Sequence, residues 1–326
     1  MSALVAMMIG SPKSSLLLVK QSVETILHNM GVPIKLFIGL SNNIDKGIIK
    51  YVHDLANYLK NTRSLNTIEV IDNCGLTFAG FMNLASDTAY SQGYPWIIEA
   101  HDDVEILTPN LVPTVEKLLL CNPKKEKADR IGWISFLDVD YLNSSWAPSV
   151  REGFALDAMK EAAWSDKKTH QFHSLPNNWW KINNSREYLE SLPYDIPHAP
   201  VICHAPFSHF IMINTKTLRE KIGHCPDWSP LSLLVDEDRG LKAMECGLYN
   251  LWVPQIEYVH IRSGHTRARD QIAAHGPTVH KMFRDKWGFD HKCLYGDSEL
   301  QTIERRYKGT NVPWSIGRRT YEWCYW

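Results

Sequence analysis

The sequence lacks the features of a disulfide-bonded secreted protein and of a membrane-spanning protein. It has seven cysteines, an odd number, and no Cys-x-x-Cys pair, which argues against a disulfide framework and a structural zinc site. No window approaches the roughly 20 apolar residues that cross a bilayer. No basic region precedes the first apolar run, Ala3 to Ile9, so this run predicts a strand rather than a signal peptide. We therefore expect a soluble protein of a reducing compartment, the cytoplasm.

The chain also lacks an excess of one charge. Its 35 Lys and Arg nearly balance its 36 Asp and Glu, and its 44% hydrophobic and 22% charged residues are ordinary for a globular protein. The segment after His260 is basic, with 12 Lys and Arg against 7 Asp and Glu. Such a segment can meet phosphate groups, but a solvated basic surface explains it equally well.

Short apolar runs alternate with helically spaced segments along the first 100 residues. This alternation predicts an α/β fold with a mostly parallel sheet flanked by helices. Ligands bind such sheets at the carboxyl ends of the strands. The strands are predicted at 3–9, 34–40, 68–71 and 96–100, and the helices between them at 16–30, 48–59 and 79–90.

Two acidic clusters and a later histidine lie where predicted elements begin or end. His101-Asp102-Asp103 follows the fourth apolar run, Asp236-Glu237-Asp238 opens a helical segment that Gly247 ends, and His260 follows a last apolar stretch. An apolar run that ends in carboxylates can deliver metal ligands to the edge of a sheet. The alternative is that these carboxylates are solvated or favour helix N-termini. The layout predicts a metal-dependent group-transfer enzyme.

Five segments, in this order, resemble the GT-A-fold glycosyltransferases, in particular the inverting glycosyltransferase family 2. The resemblance covers roughly residues 3–290 and implies a GT-A-like (Rossmann-like) α/β fold. The segments are Asn73-Cys74-Gly75-Leu76 with Asn83, Trp96 to Glu105, Phe210 to Gly223 with Asp236-Glu237-Asp238, Leu251-Trp252-Val253-Pro254 with Tyr258-Val259-His260, and Lys286-Trp287-Gly288.

The resemblance implies that the protein moves a hexosyl or pentosyl group from a nucleoside diphosphate sugar to a hydroxyl of an acceptor, a glycan or another molecule. The catalytic domain is predicted to span residues 1–265. Within it, residues 141–206 have weak periodicity and many Trp, His, Asn and Pro, which predicts a loop-and-helix insertion that would serve as an acceptor lid. Residues 266–326 are predicted to form a C-terminal helical extension packed on this domain.

The resemblance also implies a divalent cation bound by Asp103, His260 and His101. His101 stands where the family has the first Asp of its metal motif. Imidazole still ligates Mn²⁺, whereas Mg²⁺ favours oxygen ligands, so we expect Mn²⁺ rather than Mg²⁺. The cation would stabilise the negative charge that grows on the leaving diphosphate.

The catalytic base implied by the family lies eleven residues before the glycine that ends the helix, which indicates Asp236, with Asp238 as the alternative. A carboxylate within hydrogen-bond reach suits the removal of a proton from the acceptor. The alternative is that the acidic residues only stabilise a helix N-terminus, and that the segments implied to bind the donor are ordinary turns and an exposed basic loop. The residues implied to bind the donor are Ser11, Ser41, Asn83, Asp102, Arg262 and Arg267.

Two other functions stay open at the level of sequence. The same fold can transfer a sugar to a hydroxylated base in nucleic acid, as in some phage enzymes, with the basic C-terminal segment on the phosphates. Binding would then weaken as salt rises. A non-catalytic module that binds a nucleotide sugar or a glycan would bind the donor without turnover. The sugar, the nucleotide, the acceptor and the oligomeric state are not determined by the sequence.

Overall fold

The computed structural model describes residues 2–10, 14–120, 130–138, 201–203, 209–225, 234–260 and 265–289. The described residues form nine strands in one sheet. These are β1 (Ala3–Ile9), β2 (Ile34–Leu40), β3 (Thr67–Ile71), β4 (Trp96–Ala100), β5 (Val104–Ile106), β6 (Ile131–Asp138), β7 (Val201–Cys203), β8 (Phe210–Asn214) and β9 (Tyr249–His260).

Helices connect the strands and cover both faces of the sheet. One of these helices, Thr215–Thr217, is a single turn that continues directly into a π-helical turn, Leu218–Ile222. The helices are α1 (Leu16–Asn29), α2 (Lys46–Asn61), α3 (Phe78–Ser91), α4 (Leu111–Leu120), α5 (Thr215–Thr217), α6 (Val235–Glu245) and α7 (His265–Trp287).

The strand order is β3-β2-β1-β4-β8-β6-β9-β5, with β7 paired to β9. Strands β1 to β4 are mutually parallel, and β6 is parallel to β9. Strand β8 runs antiparallel to both β4 and β6. It therefore lies between two groups of parallel strands that share one direction, and it runs the opposite way. The predicted α/β sheet with flanking helices is confirmed. The reversal of β8 was not predicted, and it matters for the site.

Strand β1 is apolar at every position because both of its faces are covered. Successive side chains of a strand point to opposite faces, and each face of a sheet covered by helices needs apolar residues. Alternate residues of β1 accordingly enter two cores. The first core is completed by α1, α2 and α4, the second by α3, the π-helical turn and α6.

The C-terminal helix α7 docks on the start of α6. Lys286 Nζ and Trp287 Nε1 both donate to Oδ1 of Asp238, over 2.6 and 2.8 Å. The rest of the predicted extension, residues 290–326, lies outside the described residues, as does most of the predicted insertion. Among the residues that the structure does describe, no helix has the length and apolar character needed to cross a membrane.

The close contact between β2 and α3 predicts a glycine requirement in the sheet. A Cβ on Gly39 would lie 2.6 Å from Cε2 of Phe81, a buried ring that stacks on Phe37. We expect Gly39→Ala to destabilise the protein by about 1–3 kcal/mol, because the ring must shift within a packed core. Urea unfolding measures this as a lower midpoint with an unchanged slope.

Gly75→Ala is the matched control for this substitution. A Cβ on Gly75 meets no atom within 4 Å in the described part of the chain, so its effect should stay within about 0.5 kcal/mol. Equal unfolding midpoints for the two variants would show that Gly39 is not constrained by Phe81.

Candidate active site

Three histidines from three strands meet at one edge of the sheet. His101 directly follows β4, His209 directly precedes β8, and His260 ends β9. Because β8 is antiparallel to β4, with Ala100 opposite Phe210, the start of β8 lies beside the end of β4. The backbone N–H of His101 donates to the carbonyl of His209 over 2.9 Å. Strand β9 runs in the same direction as β4, so its last residue reaches the same edge.

The three imidazoles lie close enough together to approach a single metal ion. One ring nitrogen of each residue lies within 4.8 Å of those of the other two. The ring centroids are 3.7 Å apart for His209 and His260, 4.8 Å for His101 and His209, and 5.5 Å for His101 and His260. The ring of Phe78 packs nearly perpendicular to that of His101, with the two ring centroids 5.5 Å apart. A cluster of this kind can bind a divalent cation.

Asp103 supports this cluster through His260. Its Oδ1 lies 3.1 Å from Nε2 of His260, and both residues are buried. Val104, the next residue, pairs with His260 across β5 and β9, which fixes the approach of the carboxylate. A metal-binding histidine is commonly oriented by a carboxylate on its other ring nitrogen.

The electrostatics of the cluster suit a cation. Burial, and then the neighbouring His260, lowers the pKa of His101 to about 4, so this imidazole is neutral at pH 7. Neutral imidazole is the form that ligates a metal. The residues at this edge therefore fit a divalent cation in charge, proximity and chemistry.

Asp102 points to a different partner from Asp103. Its Oδ2 accepts a 2.5 Å hydrogen bond from Oγ of Ser14, which lies just before α1. Burial, and then the charge of Asp103, raises the pKa of Asp102 to about 7. Asp102 is thus held beside the cluster by a hydroxyl donor.

The two candidate bases on α6 have different surroundings. Asp236 and Asp238 both lie in the first turn of the helix. Asp238 is 1% exposed, and its Oδ1 already accepts the two hydrogen bonds from α7 described above. Asp236 is only half-buried. Asp238 therefore holds α7 on α6, and Asp236 is the more accessible of the two carboxylates.

A buried ion pair fixes α6 to the end of β4. Nη1 of Arg239 donates to Oε2 of Glu99 over 2.6 Å, and both side chains are about fully buried. Arg239 also donates from Nε to Sγ of Cys225 and lies over the ring of Trp133 at 5.1 Å. Burial raises the pKa of Glu99, and the guanidinium of Arg239 opposes that rise.

The two other described residues predicted to bind the donor, Ser41 and Asn83, are hydrogen-bonded to backbone groups. Ser41 directly follows β2, and its N–H donates to the carbonyl of Ile9 at the end of β1. The amide of Asn83 exchanges two hydrogen bonds with the backbone of Cys225. Three predicted contacts lie outside what the structure describes: residues Ser11 and Arg262, and the side chain of Arg267.

His209 was not predicted from the sequence as a site residue. The sequence places it at the start of an apolar run, 209–214, and in a parallel sheet that position would lie at the opposite edge. Only the antiparallel pairing with β4 brings it beside His101. The available signal was the histidine itself at a strand terminus, which by itself says nothing about strand direction.

Comparison with known proteins identifies the fold. No protein-family model and no curated protein matches the sequence. The crystal structure of GalNAc-T7 with UDP, GalNAc and Mn²⁺ matches with a TM-score of 0.51 and 12% identity, over 98% of this chain and 57% of that one. GalNAc-T7 is a GT-A-fold glycosyltransferase. The protein has a GT-A-like fold.

A second solved structure is also similar to this chain. S. aureus TarS, residues 1–349 in complex with UDP-GlcNAc, matches with a TM-score of 0.43 and 10% identity, over 79% of this chain. The GT-A-like chain described here spans 57% of the length of each of these two matched chains.

The ion pair between Glu99 and Arg239 predicts an asymmetric response to substitution. Arg239→Met leaves the carboxylate of Glu99 buried without its cation, and we expect a loss of about 3–5 kcal/mol of unfolding free energy. The double variant Glu99→Leu/Arg239→Met removes both charges and should recover most of that loss, because apolar replacement of a buried pair is often neutral. Urea unfolding of the two variants measures the difference. A double variant no more stable than the single one would contradict this account.

Proposed function

We propose that the protein is a metal-dependent, inverting glycosyltransferase that uses a nucleoside diphosphate sugar. The supporting observation is the meeting of His101, Asp103 and His260 at the carboxyl edge of a GT-A-like sheet. Ligands of open α/β sheets bind at this edge. The acidic first turn of α6 is tied to the same strand end by the pair of Glu99 and Arg239.

The donor diphosphate would lie against the histidine cluster. His101 and His260 would hold a divalent cation there, with Asp103 against Nε2 of His260, and the cation, when bound, would stabilise negative charge on the diphosphate. Asp102, held by Ser14, would accept a hydrogen bond from a ribose or sugar hydroxyl. Ser41 lies at the end of β2 next to the end of β1, which suits contact with the nucleoside. The roles of Ser11, Asn83, Arg262 and Arg267 in donor binding stay predictions from the sequence.

Asp236 is the proposed catalytic base. The acceptor oxygen forms a bond to the anomeric carbon while the bond from that carbon to the diphosphate oxygen breaks. The hydroxyl proton passes to the carboxylate of Asp236, and the electron pair of the broken bond leaves with the diphosphate. One displacement of this kind inverts the anomeric carbon and needs a single base. Asp238 is unsuited to this role because it is buried and bound by α7.

Donor binding is the first test of this function. We expect a thermal-shift screen of nucleoside diphosphates and their sugars, run with Mn²⁺ or Mg²⁺, to give a response with Mn²⁺. A ligand at 100 times its dissociation constant stabilises a protein by about 2.7 kcal/mol. His260→Ala should abolish the metal-dependent part of the shift. A wild-type protein that responds to no nucleotide or nucleotide sugar would contradict the proposed function.

Asp236→Asn tests the proposed base. The assay measures the release of nucleoside diphosphate from the donor that gives the largest thermal shift, first with water and then with candidate acceptor hydroxyls. We expect Asp236→Asn to lower turnover by about 10²–10⁴-fold, the usual contribution of a general base, with donor binding unchanged. Glu245→Gln, at the exposed far end of the same helix, is the matched control and should keep wild-type turnover.

Two results of this assay would count against the mechanism. Full turnover by Asp236→Asn would show that another group removes the proton. Donor binding by the wild type with no release under any condition would instead favour a non-catalytic binding module.

A further inference from the structure

We propose that His209 is a ligand of the metal ion, so that the site holds its cation with three imidazoles and prefers ions that favour nitrogen. The proposal rests on the proposed function only in taking this edge of the sheet as the metal site. It differs from the site implied by the sequence, which contains Asp103, His101 and His260 but not His209. The ions favoured are of the class of Co²⁺, Ni²⁺ and Zn²⁺.

The positions of the three histidines are set by the backbone. The N–H of His101 donates to the carbonyl of His209, and His260 pairs with Val104 in the ladder of β5 and β9. The three residues thus sit at the ends of strands of one hydrogen-bonded sheet, in which β8 adjoins β4 and β6 lies between β8 and β9. Sites built on strands hold their ligands more precisely than sites built on loops.

The distances agree with binding to one ion. Imidazole nitrogens at about 2.0–2.1 Å from a tetrahedral ion such as Zn²⁺ lie about 3.3–3.4 Å apart. In the protein, one nitrogen of each histidine lies within 4.8 Å of the others. A pair at the 4.8 Å limit must therefore close by about 1.5 Å in a tetrahedral site, which side-chain rotations of His101, His209 and His260 can provide.

Asp103 has a distinct position in this arrangement. Its Oδ1 contacts Nε2 of His260 at 3.1 Å. A histidine held by a carboxylate through one nitrogen can bind a metal through its other nitrogen, and the carboxylate increases its basicity. Asp103 then orients His260, and the donor set nearest the ion is made of nitrogens.

The chemistry of this donor set fixes the class of ion. Imidazole suits Zn²⁺, Fe²⁺, Ni²⁺ and Cu²⁺, whereas carboxylate, carbonyl and water suit Mg²⁺, Ca²⁺ and Mn²⁺. Three imidazoles therefore disfavour Mg²⁺ most strongly and rank Co²⁺, Ni²⁺ and Zn²⁺ above Mn²⁺. The site retains open positions, because three protein ligands leave room for a further oxygen ligand.

Cobalt titration of the metal-stripped protein tests the proposal without any assay of activity. Co²⁺ gives visible absorption bands that report its ligands. We expect one tightly bound Co²⁺ in the wild type and at least about a tenfold loss of affinity, with altered bands, in His209→Gln, since even outer partners of a ligand contribute 10–100-fold. His53→Gln is the matched control, because His53 lies on α2 and contacts Asp72 on the surface. It should bind Co²⁺ as the wild type does.

Two further measurements keep the test independent of how His209→Gln folds. X-ray absorption at the cobalt edge of the wild type should count three imidazoles, and a count of two or fewer would overturn the proposal. His209→Asp should keep a bound ion but shift preference toward Mn²⁺, because a carboxylate replaces an imidazole.

The outcomes separate this inference from the proposed function. Wild-type affinity for Co²⁺ in His209→Gln, or no Co²⁺ bound by the wild type, would overturn the role of His209. If a nucleotide-sugar donor still binds in the thermal-shift screen, the proposed function survives that result. Three-imidazole Co²⁺ binding without any response to nucleotide sugars would instead support the metal site and contradict the glycosyltransferase.

Discussion

The antiparallel pairing of β8 with β4 is the constraint on which the site depends. It places Ala100 opposite Phe210, so a strand that begins at this edge meets one that ends there. His209 and His101 then share a backbone hydrogen bond, and β9 brings His260 to the same place. A parallel β8 would put His209 at the other end of the sheet, roughly a strand length of 17–20 Å away, and the cluster would not form.

A second interaction fixes the acidic helix to this edge. Glu99 is the residue before the last one of β4, and its buried pair with Arg239 joins α6 to the strand that ends at His101. Asp238, the residue before Arg239 in α6, accepts hydrogen bonds from Lys286 and Trp287 of α7. Asp238 and Arg239 thus fix α6 within the fold, and the half-buried Asp236 is the most accessible carboxylate of its first turn.

Part of the site was predictable because its residues lie next to strands that sequence patterns reveal. β1 is a continuous apolar run, and β2 and β4 are apolar except for Lys35 and Glu99, since both faces of the sheet are covered. The polar residues after β4 were therefore expected at an edge. β5 and β7 have three residues each, which is too short for a periodic pattern, and they were not predicted. The catalytic and donor-binding roles stay predictions, whereas the α/β class is confirmed.

The sequence by itself determined the elements of the first half of the sheet, the polar residues that follow β4, and the acidic start of α6, because burial and helix capping act over a few neighbouring residues. The tertiary structure alone decided the direction of β8, the position of His209 beside His101 and His260, and the different burial of Asp236 and Asp238. Strand direction and burial of a charge depend on partners more than 40 residues away. Nothing in a local apolar pattern records which way a strand runs or which cation will reach a carboxylate.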